Sequence, residues 1–208
     1  MSNHISHSKP LGSLTFGHHN KGGRNHTGRM TVRHQGGGHK LKLRILNWHR
    51  KWTTAQILHM EYDPNRTAPI MLVLKDKKNY DYIIASQSAR PNISIQNQKI
   101  STYSQGTLLH NLKLKYIKAA GTVGVLLATD FNKTATIKLP SKAVLRVPTS
   151  TLATAGKTAA PVHARYPLRK AGRLRLLGIR PRVKGASINA VDHPHGGSTK
   201  GGKPTQSR

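Results

Sequence analysis

The sequence predicts a mainly β protein: two small barrels in the middle of the chain, flanked by extended basic arms. Three observations lead there. Between residues 41 and 147 the apolar residues come in short runs of Val, Ile, Leu and Thr separated by polar turns, the spacing of small all-β domains. At both ends Gly and Pro break every helical or strand period. Thirty-five Lys and Arg face six acids, a net charge of +29, so the surface needs an external polyanion.

Residues 1–35 are expected to be an extended basic arm. Glycines such as Gly17, Gly22, Gly23 and Gly28 interrupt it, while Lys21, Arg24, Arg29 and Arg33 alternate with His18, His19, His26 and His34. Glycine lets a backbone approach a phosphate surface closely, and the arginine fork matches phosphate oxygens. A solvated tail has the same composition, because disorder in the free chain and order in a complex draw on the same residues. Lacking acids, the arm resembles a transit peptide, but its glycines oppose the amphipathic helix such a peptide forms. It has no apolar signal-peptide core, so secretion is not expected.

Residues 36–100 are expected to form the first barrel. In LKLRILNWHR, Leu41, Leu43 and Ile45 alternate with Lys42 and Arg44, which predicts a strand with those three apolar residues inward. Trp52–Met60 predicts a second strand. Asp63-Pro64-Asn65 is turn chemistry, since proline fixes its own φ and asparagine tolerates left-handed geometry. Ile70–Leu74 reads as a buried strand, Lys75–Asn79 as a charged turn, and Tyr80–Ala85 as the return strand. An OB-type barrel is the common nucleic-acid-binding form of such a unit.

Residues 101–155 are expected to form the second barrel. Gly106–Ile117, with Leu108, Leu109, Leu112, Leu114 and Ile117, is ambiguous between helix and strand. Gly121–Ala128, Thr134–Leu139 and Ala143–Val147 read as strands, with a hairpin turn at Asp130–Lys133. Residues 156–208 are expected to hold one short helix, Leu168–Leu177, carrying Arg169, Lys170, Arg173 and Arg175, and then an extended basic tail beginning near Pro181. With Asp192 the sole acid after Asp130, the helix is read as facing RNA rather than solvent.

The charge imbalance narrows the partner to nucleic acid. The rival, an anionic membrane surface, lacks a basic amphipathic helix or an apolar run near twenty residues. No cysteine is present, which excludes disulfides, cysteine zinc sites and thiol catalysis.

Three constellations bear on chemistry. Asp192-His193-Pro194-His195 pairs a carboxylate with imidazoles, a pattern compatible with acid–base work, with metal binding given two further ligands, or with structural RNA contact. The histidines between His18 and His39 match no standard metal spacing. Gly36-Gly37-Gly38-His39-Lys40 lacks the Gly-Lys-Ser/Thr ending and following helix of a P-loop.

GRNHTGRMTVRHQGGGHK (Gly23–Lys40), EYDPNR (Glu61–Arg66) and GIRPRVKGASINAVDHPHGG (Gly178–Gly197) resemble, in order along the chain, the universal large-subunit ribosomal protein two family in its bacterial or organellar form. Between residues 67 and 155 the resemblance is one of pattern. It implies an OB-fold barrel followed by an SH3-like barrel, with arms threaded into large-subunit rRNA. It implies support of subunit assembly, association with the small subunit through an intersubunit bridge, neighbouring ribosomal proteins, and a place near the peptidyl transferase centre.

Carried over residue by residue, the matching rRNA-binding positions are Arg24, Asn25, Arg29, Arg33, His34, His39 and Lys40 in the first block and Arg180, Arg182, Lys184, Asn189, Asp192, His193 and His195 in the last. Lys21, Asn65, Arg66, Arg173 and Arg175 join them as basic or turn residues within or beside the blocks. For His193 the resemblance implies at most a positioning role in peptide-bond formation, because the bond-forming site is RNA. No catalytic residue, no metal and no cofactor is expected, other than Mg2+ held by the rRNA itself.

The sequence departs from the family where Arg173-Leu174-Arg175-Leu176-Leu177 stands in place of a tryptophan between arginines, and at Leu43, which replaces an aromatic. The first arm is short, and the tail ends eleven residues after Gly197. These reductions favour a mitochondrial ribosome over that of a plastid or a bacterium. The competing functions are a small hydrolase or nuclease using Asp192, His193 and His195, and a basic DNA-compacting protein.

Overall fold

The computed structural model describes residues 5–6, 8–75, 78–112, 116–130 and 133–197. It falls into two bodies, one of residues 1–18 and 41–167, the other of residues 19–40 and 168–208. Leu114, the centres of the turns at Lys75–Asn79 and Asp130–Lys133, and the glycines at 201 and 202 lie outside the described residues.

The first body is mainly β, the architecture of an OB-fold barrel followed by an SH3-like barrel. Its N-terminal part contains β1 (Ile5–Ser6), β2 (Thr15–His18), β3 (Leu41–Arg44), β4 (Thr54–Glu61), β5 (Ile70–Lys75), β6 (Asn79–Ile84) and β7 (Ser94–Gln96). One sheet runs β1-β4-β5-β6, with β7 also on β4, and β2 pairs with β3 in a separate ribbon. β5 explains the apolar run at 70–74. Met71 and Val73 enter one core cluster with Trp52, Ile57 and Ile83, while Ile70 and Leu72 enter another with Leu46, Tyr82 and Ile84. A strand buried on both faces needs no polar alternation.

In β4 the register against β5 shifts between Ile57 and His59. This bulge adds one residue to the strand, so Ala55, Ile57 and Met60 all reach the same cluster despite their uneven spacing. Two sequence expectations change in this region. Ile45 is 48% exposed and Leu46 is buried instead, because β3 ends at Arg44 and Leu46 bridges to Tyr82. Residues 15–18, read as part of the arm, pair antiparallel with 41–44 from Thr15↔Arg44 to His18↔Leu41.

The second sheet contains β8 (Gln98–Lys99), β9 (Leu108–His110), β10 (Gly124–Thr129), β11 (Thr134–Lys138), β12 (Val144–Pro148) and β13 (Leu152–Ala155), in the order β12-β11-β10-β9-β13-β8. The ambiguous stretch at 106–117 thus contributes a strand. Ile100, Leu109, Leu112, Ile117, Leu126, Ala135, Ile137, Val147 and Ala153 form its core.

One buried side chain joins this sheet to the earlier strands. Arg50 is 2% exposed and donates from Nη1 to Thr154 Oγ1 at 2.7 Å and from Nη2 to the Asn111 carbonyl at 2.6 Å. Its own carbonyl accepts from Asn97 Nδ2. Burial lowers the Arg50 pKa to about 10, yet the guanidinium stays charged at neutral pH because its hydrogen bonds substitute for water.

In the second body the expected helix is shorter than the run of charge suggested: α1 spans Ala171–Leu176. Its end is a Schellman cap. Gly178, with φ of +82°, donates to the Arg175 carbonyl at 3.0 Å, and Ile179 N–H reaches the Leu174 carbonyl at 3.0 Å. The cap turns the chain at Gly178, and Ile179 then bridges antiparallel to Gln35.

Candidate nucleic-acid interface

The second body is held together by a short ladder between two distant segments. Gly36 N–H donates to the Gly178 carbonyl, Arg180 N–H to the His34 carbonyl and His39 N–H to the Leu176 carbonyl, each at 2.9 Å. His34 Nδ1 lies 3.1 Å from the Pro181 carbonyl, which fixes that nitrogen as the protonated one. The crossing needs Gly38. Its φ is +92°, and a Cβ there would stand 2.9 Å from Gly178 N and 3.0 Å from Gly178 Cα. The Gly36-Gly37-Gly38 run is therefore a backbone crossing.

Beside the ladder is an open cleft of about 720 Å3, lined by Asn20, Lys21, Gly22, Arg24, Met30, Gln35, Gly36–Gly38 and Arg180. Asn20 shapes it, accepting from Gly22 N–H at 2.8 Å and donating to the Gly37 carbonyl at 3.3 Å. Asn25 folds the next loop. Its Oδ1 accepts from Thr27 N–H, Thr27 Oγ1 and Arg29 N–H at 3.0, 2.7 and 3.0 Å. That turn brings Arg24 and Met30 into a bridge and leaves Arg24 and Arg29 exposed. Asn25 is thus placed to organise its loop through its own side chain.

The 185–197 segment folds back on itself. His195 N–H donates to His193 Nδ1 at 3.0 Å, Gly196 N–H to the His193 carbonyl at 2.9 Å, and Gly197 N–H to the Ile188 carbonyl at 3.2 Å. The two imidazoles meet edge to face with centroids 5.0 Å apart. A Cβ on Gly185 would collide with the His193 ring, so only glycine lets the ring lie there. With Nδ1 accepting, the proton of neutral His193 sits on Nε2. Asp192 is exposed, and its backbone N–H caps the turn by donating to the Asn189 carbonyl at 3.0 Å. Among the described residues, no group of three His, Asp or Glu side chains comes together as a metal cluster.

Lys21, Arg24, Arg29, Arg33, His39, Lys40, Arg173, Arg180, Arg182 and Lys184 are exposed in this body, and Asn189 is exposed with them. Arg175 is half-buried. The ion pairs found among the described residues are His59–Glu61, Arg66–Asp63 and Lys75–Asp81, so these exposed cations have no carboxylate partner there. Such a surface is arranged for an anion from outside.

Asn65 and Arg66 belong to the first body instead. Asp63 is fully buried. Its Oδ1 accepts from Asn65 N–H at 2.9 Å, and its Oδ2 pairs with Arg66 Nε at 2.5 Å. Asn65 Nδ2 also donates to the Lys42 carbonyl at 2.7 Å, tying the turn to β3. Nearby, Lys118 Nζ sits 3.7 Å above the Trp48 ring centroid and the Arg66 guanidinium 5.9 Å from it. Burial, then Arg50 and Arg66, lowers the Lys118 pKa. The EYDPNR motif thus carries a buried carboxylate, Asp63, that holds two half-buried polar groups, Asn65 and Arg66.

Sequence reasoning missed Asn20, Gln35 and Gly185. Asn20 two residues before Gly22 was a readable turn signal. Gln35 and Gly185 act through partners that no local pattern reveals.

Residues 11–95 match the family described as Ribosomal Proteins L2, RNA binding N-terminal domain, and residues 96–208 match Ribosomal Proteins L2, C-terminal domain. The chain belongs to the ribosomal protein L2 family. Large ribosomal subunit protein uL2m of Reclinomonas americana is 37% identical over 218 residues, covering 94% of this chain and 79% of that relative. Membership of the L2 family makes this a structural ribosomal protein with an RNA-binding domain, not an enzyme. The second body draws residues 19–40 from the first matched L2 domain and 168–208 from the second.

Proposed function

We propose that the chain is a constituent of the mitochondrial large ribosomal subunit and binds large-subunit rRNA through the second body. The supporting observation is the Gln35–Ile179 ladder, which joins two acid-poor segments into one surface of cations that have no carboxylate partner among the described residues. Arg24, Arg29, Arg33, Arg180, Arg182 and Lys184 meet phosphates, Asn65 and Arg66 add a contact from the first barrel, and the 185–197 loop presents His193 Nε2–H as a donor. Mg2+ at the interface belongs to the RNA. In the assembled subunit this protein supports assembly, an intersubunit bridge to the small subunit and the architecture near the peptidyl transferase centre, alongside neighbouring ribosomal proteins. His193 has a positioning role.

Two experiments test this. The purified chain should bind a large-subunit rRNA transcript with affinity falling steeply as salt rises, because each phosphate contact releases a counterion. The tagged chain should also sediment with large subunits from isolated mitochondria. Equal affinity for duplex DNA would point to simple charge binding, and absence from the large-subunit fractions would refute the assignment.

A further inference from the structure

Strand β12 forms one edge of the second sheet. Among the described residues it pairs with β11 alone, in a register from Thr134↔Pro148 to Lys138↔Val144. In an antiparallel pair, alternate residues turn their N–H and C=O towards the partner strand. The flanking bonds fix which residues do so here. Leu139 N–H donates to the Ala143 carbonyl at 2.8 Å, and Thr149 N–H donates to the Lys133 carbonyl at 2.9 Å. Leu145 and Val147 are in step with Ala143 and Thr149, so their backbone groups serve β11. The N–H and C=O of Val144 and Arg146 therefore point out of the sheet edge, without a backbone partner among the described residues. Pro148, next in that phase, has no N–H, and its carbonyl accepts from Thr151 N–H at 3.0 Å, which closes the edge there.

The side chains divide in the same way. Leu145 and Val147 pack in the core of the second sheet, while Val144, opposite Lys138, is 59% exposed. Around this edge Lys133, Lys138, Lys142 and Arg146 are exposed, with no carboxylate partner among the described residues. Asp130, the nearest acid in sequence, accepts from Thr134 Oγ1 at 3.1 Å. Such cations repel a second copy of the same edge and admit a strand of opposite charge.

We infer that β12 is extended by an acidic β-strand of a neighbouring ribosomal protein. The inference rests on the reading of the chain as a large-subunit constituent. A partner strand presents a donor and an acceptor at every second residue, roughly 6.8 Å apart, which answers both free N–H groups and both free carbonyls. A phosphodiester accepts but does not donate, so it leaves the two carbonyls unmet. Protein is favoured over RNA at this edge for that reason. Carboxylates on the incoming strand meet Lys138, Lys142 and Arg146, which sets its choice of partner.

Carbodiimide crosslinking of intact large subunits from mitochondria, followed by peptide mass spectrometry, tests this, because the reagent joins a lysine amine directly to a carboxylate. Lys138 or Lys142 should be joined to an Asp or Glu of a second ribosomal protein. Val144→Pro removes one outward N–H at the first residue of the strand and leaves every cation in place. Subunits carrying it should lose that link, while the variant keeps the wild-type melting temperature and still sediments with large subunits. If Val144→Pro does not fold, Val144→Glu sets a carboxylate against the acidic strand and should lose the same link. No link from either lysine in wild-type subunits, while other lysines of the chain are linked, overturns the inference. So does a link that survives both substitutions, a link only to another copy of this chain, or ultraviolet crosslinking of residues 138–148 to rRNA. Absence of the wild-type chain from the large-subunit fractions refutes the proposed function itself.

Discussion

The imidazole of His34 reaches the carbonyl of Pro181 at 3.1 Å across 147 residues of sequence. That bond lies beside the Gly36–Gly178 contact, and together they make the first basic segment and the last one a single surface. Gly38 stands at the crossing of the two segments. Gly38→Ala would place a methyl against the Gly178 backbone at a φ that disfavours side chains, a cost of about 1–3 kcal/mol. The variant is expected to leave the barrels intact by circular dichroism, while limited proteolysis cuts both segments faster and rRNA affinity falls.

Arg50 crosses from the connection before β4 to the second sheet without a carboxylate partner among the described residues. Arg50→Met removes the donors that satisfy Thr154 and the Asn111 carbonyl, and urea unfolding should show a loss of about 2–4 kcal/mol. Arg50→Lys is expected to recover only part of this, because an ammonium cannot span the positions met by the guanidinium fork.

His110 is fully buried, and burial followed by the Arg50 charge pushes its pKa down to about 4. The unfolded chain takes up this proton near the ordinary histidine value of about 6.5, whereas the folded chain resists it until about pH 4. Stability is therefore present above about pH 6.5 and is lost as pH falls towards 4, by up to roughly 3 kcal/mol from this group. Chemical denaturation across that window should flatten in His110→Leu relative to wild type.

Asp63 holds both Asn65 and Arg66 from a fully buried position. Asp63→Ala strips the Arg66 partner and opens the turn, with an expected loss of about 3–5 kcal/mol on unfolding. Asp63→Asn keeps part of the turn and should fall between the two. If Asp63→Ala melted at the wild-type temperature, the buried pair would not be structural.

For the interface, Arg180→Ala should lower the slope of log affinity against log salt by about 0.7 to 0.9, the share of one phosphate. Asn25→Ala should lower affinity as well, through the loss of the turn that sets Arg24 and Arg29. Its salt slope should fall too, as those two arginines lose their phosphates.

Much of this was legible in the chain. The unbroken run at 70–74 announced a strand buried on both faces, and the three ordered blocks named the family. What was hidden was long-range or contrary to type. Nothing in LNWHRKW marks Arg50 for the interior, since a buried arginine is decided by acceptors at Asn111 and Thr154. The pairing of residues 15–18 with β3 was hidden because Gly17 and the polar flanks read as loop. Simple alternation puts Ile45 inward because it cannot see that the strand stops at Arg44.

The ladder between residues 34–39 and 176–181 also fixes an order of events during synthesis. Closing so long a loop costs entropy that no local contact offsets beforehand. The barrel strands can pair as they are made, and the Asn25 turn can close within the segment at 19–40, but residues 34–39 lack their ladder partners until α1 and its glycine cap exist. A nascent chain interrupted before residue 176 would therefore carry half of an RNA-facing surface. The surface is therefore whole only once the chain has been made through residue 181.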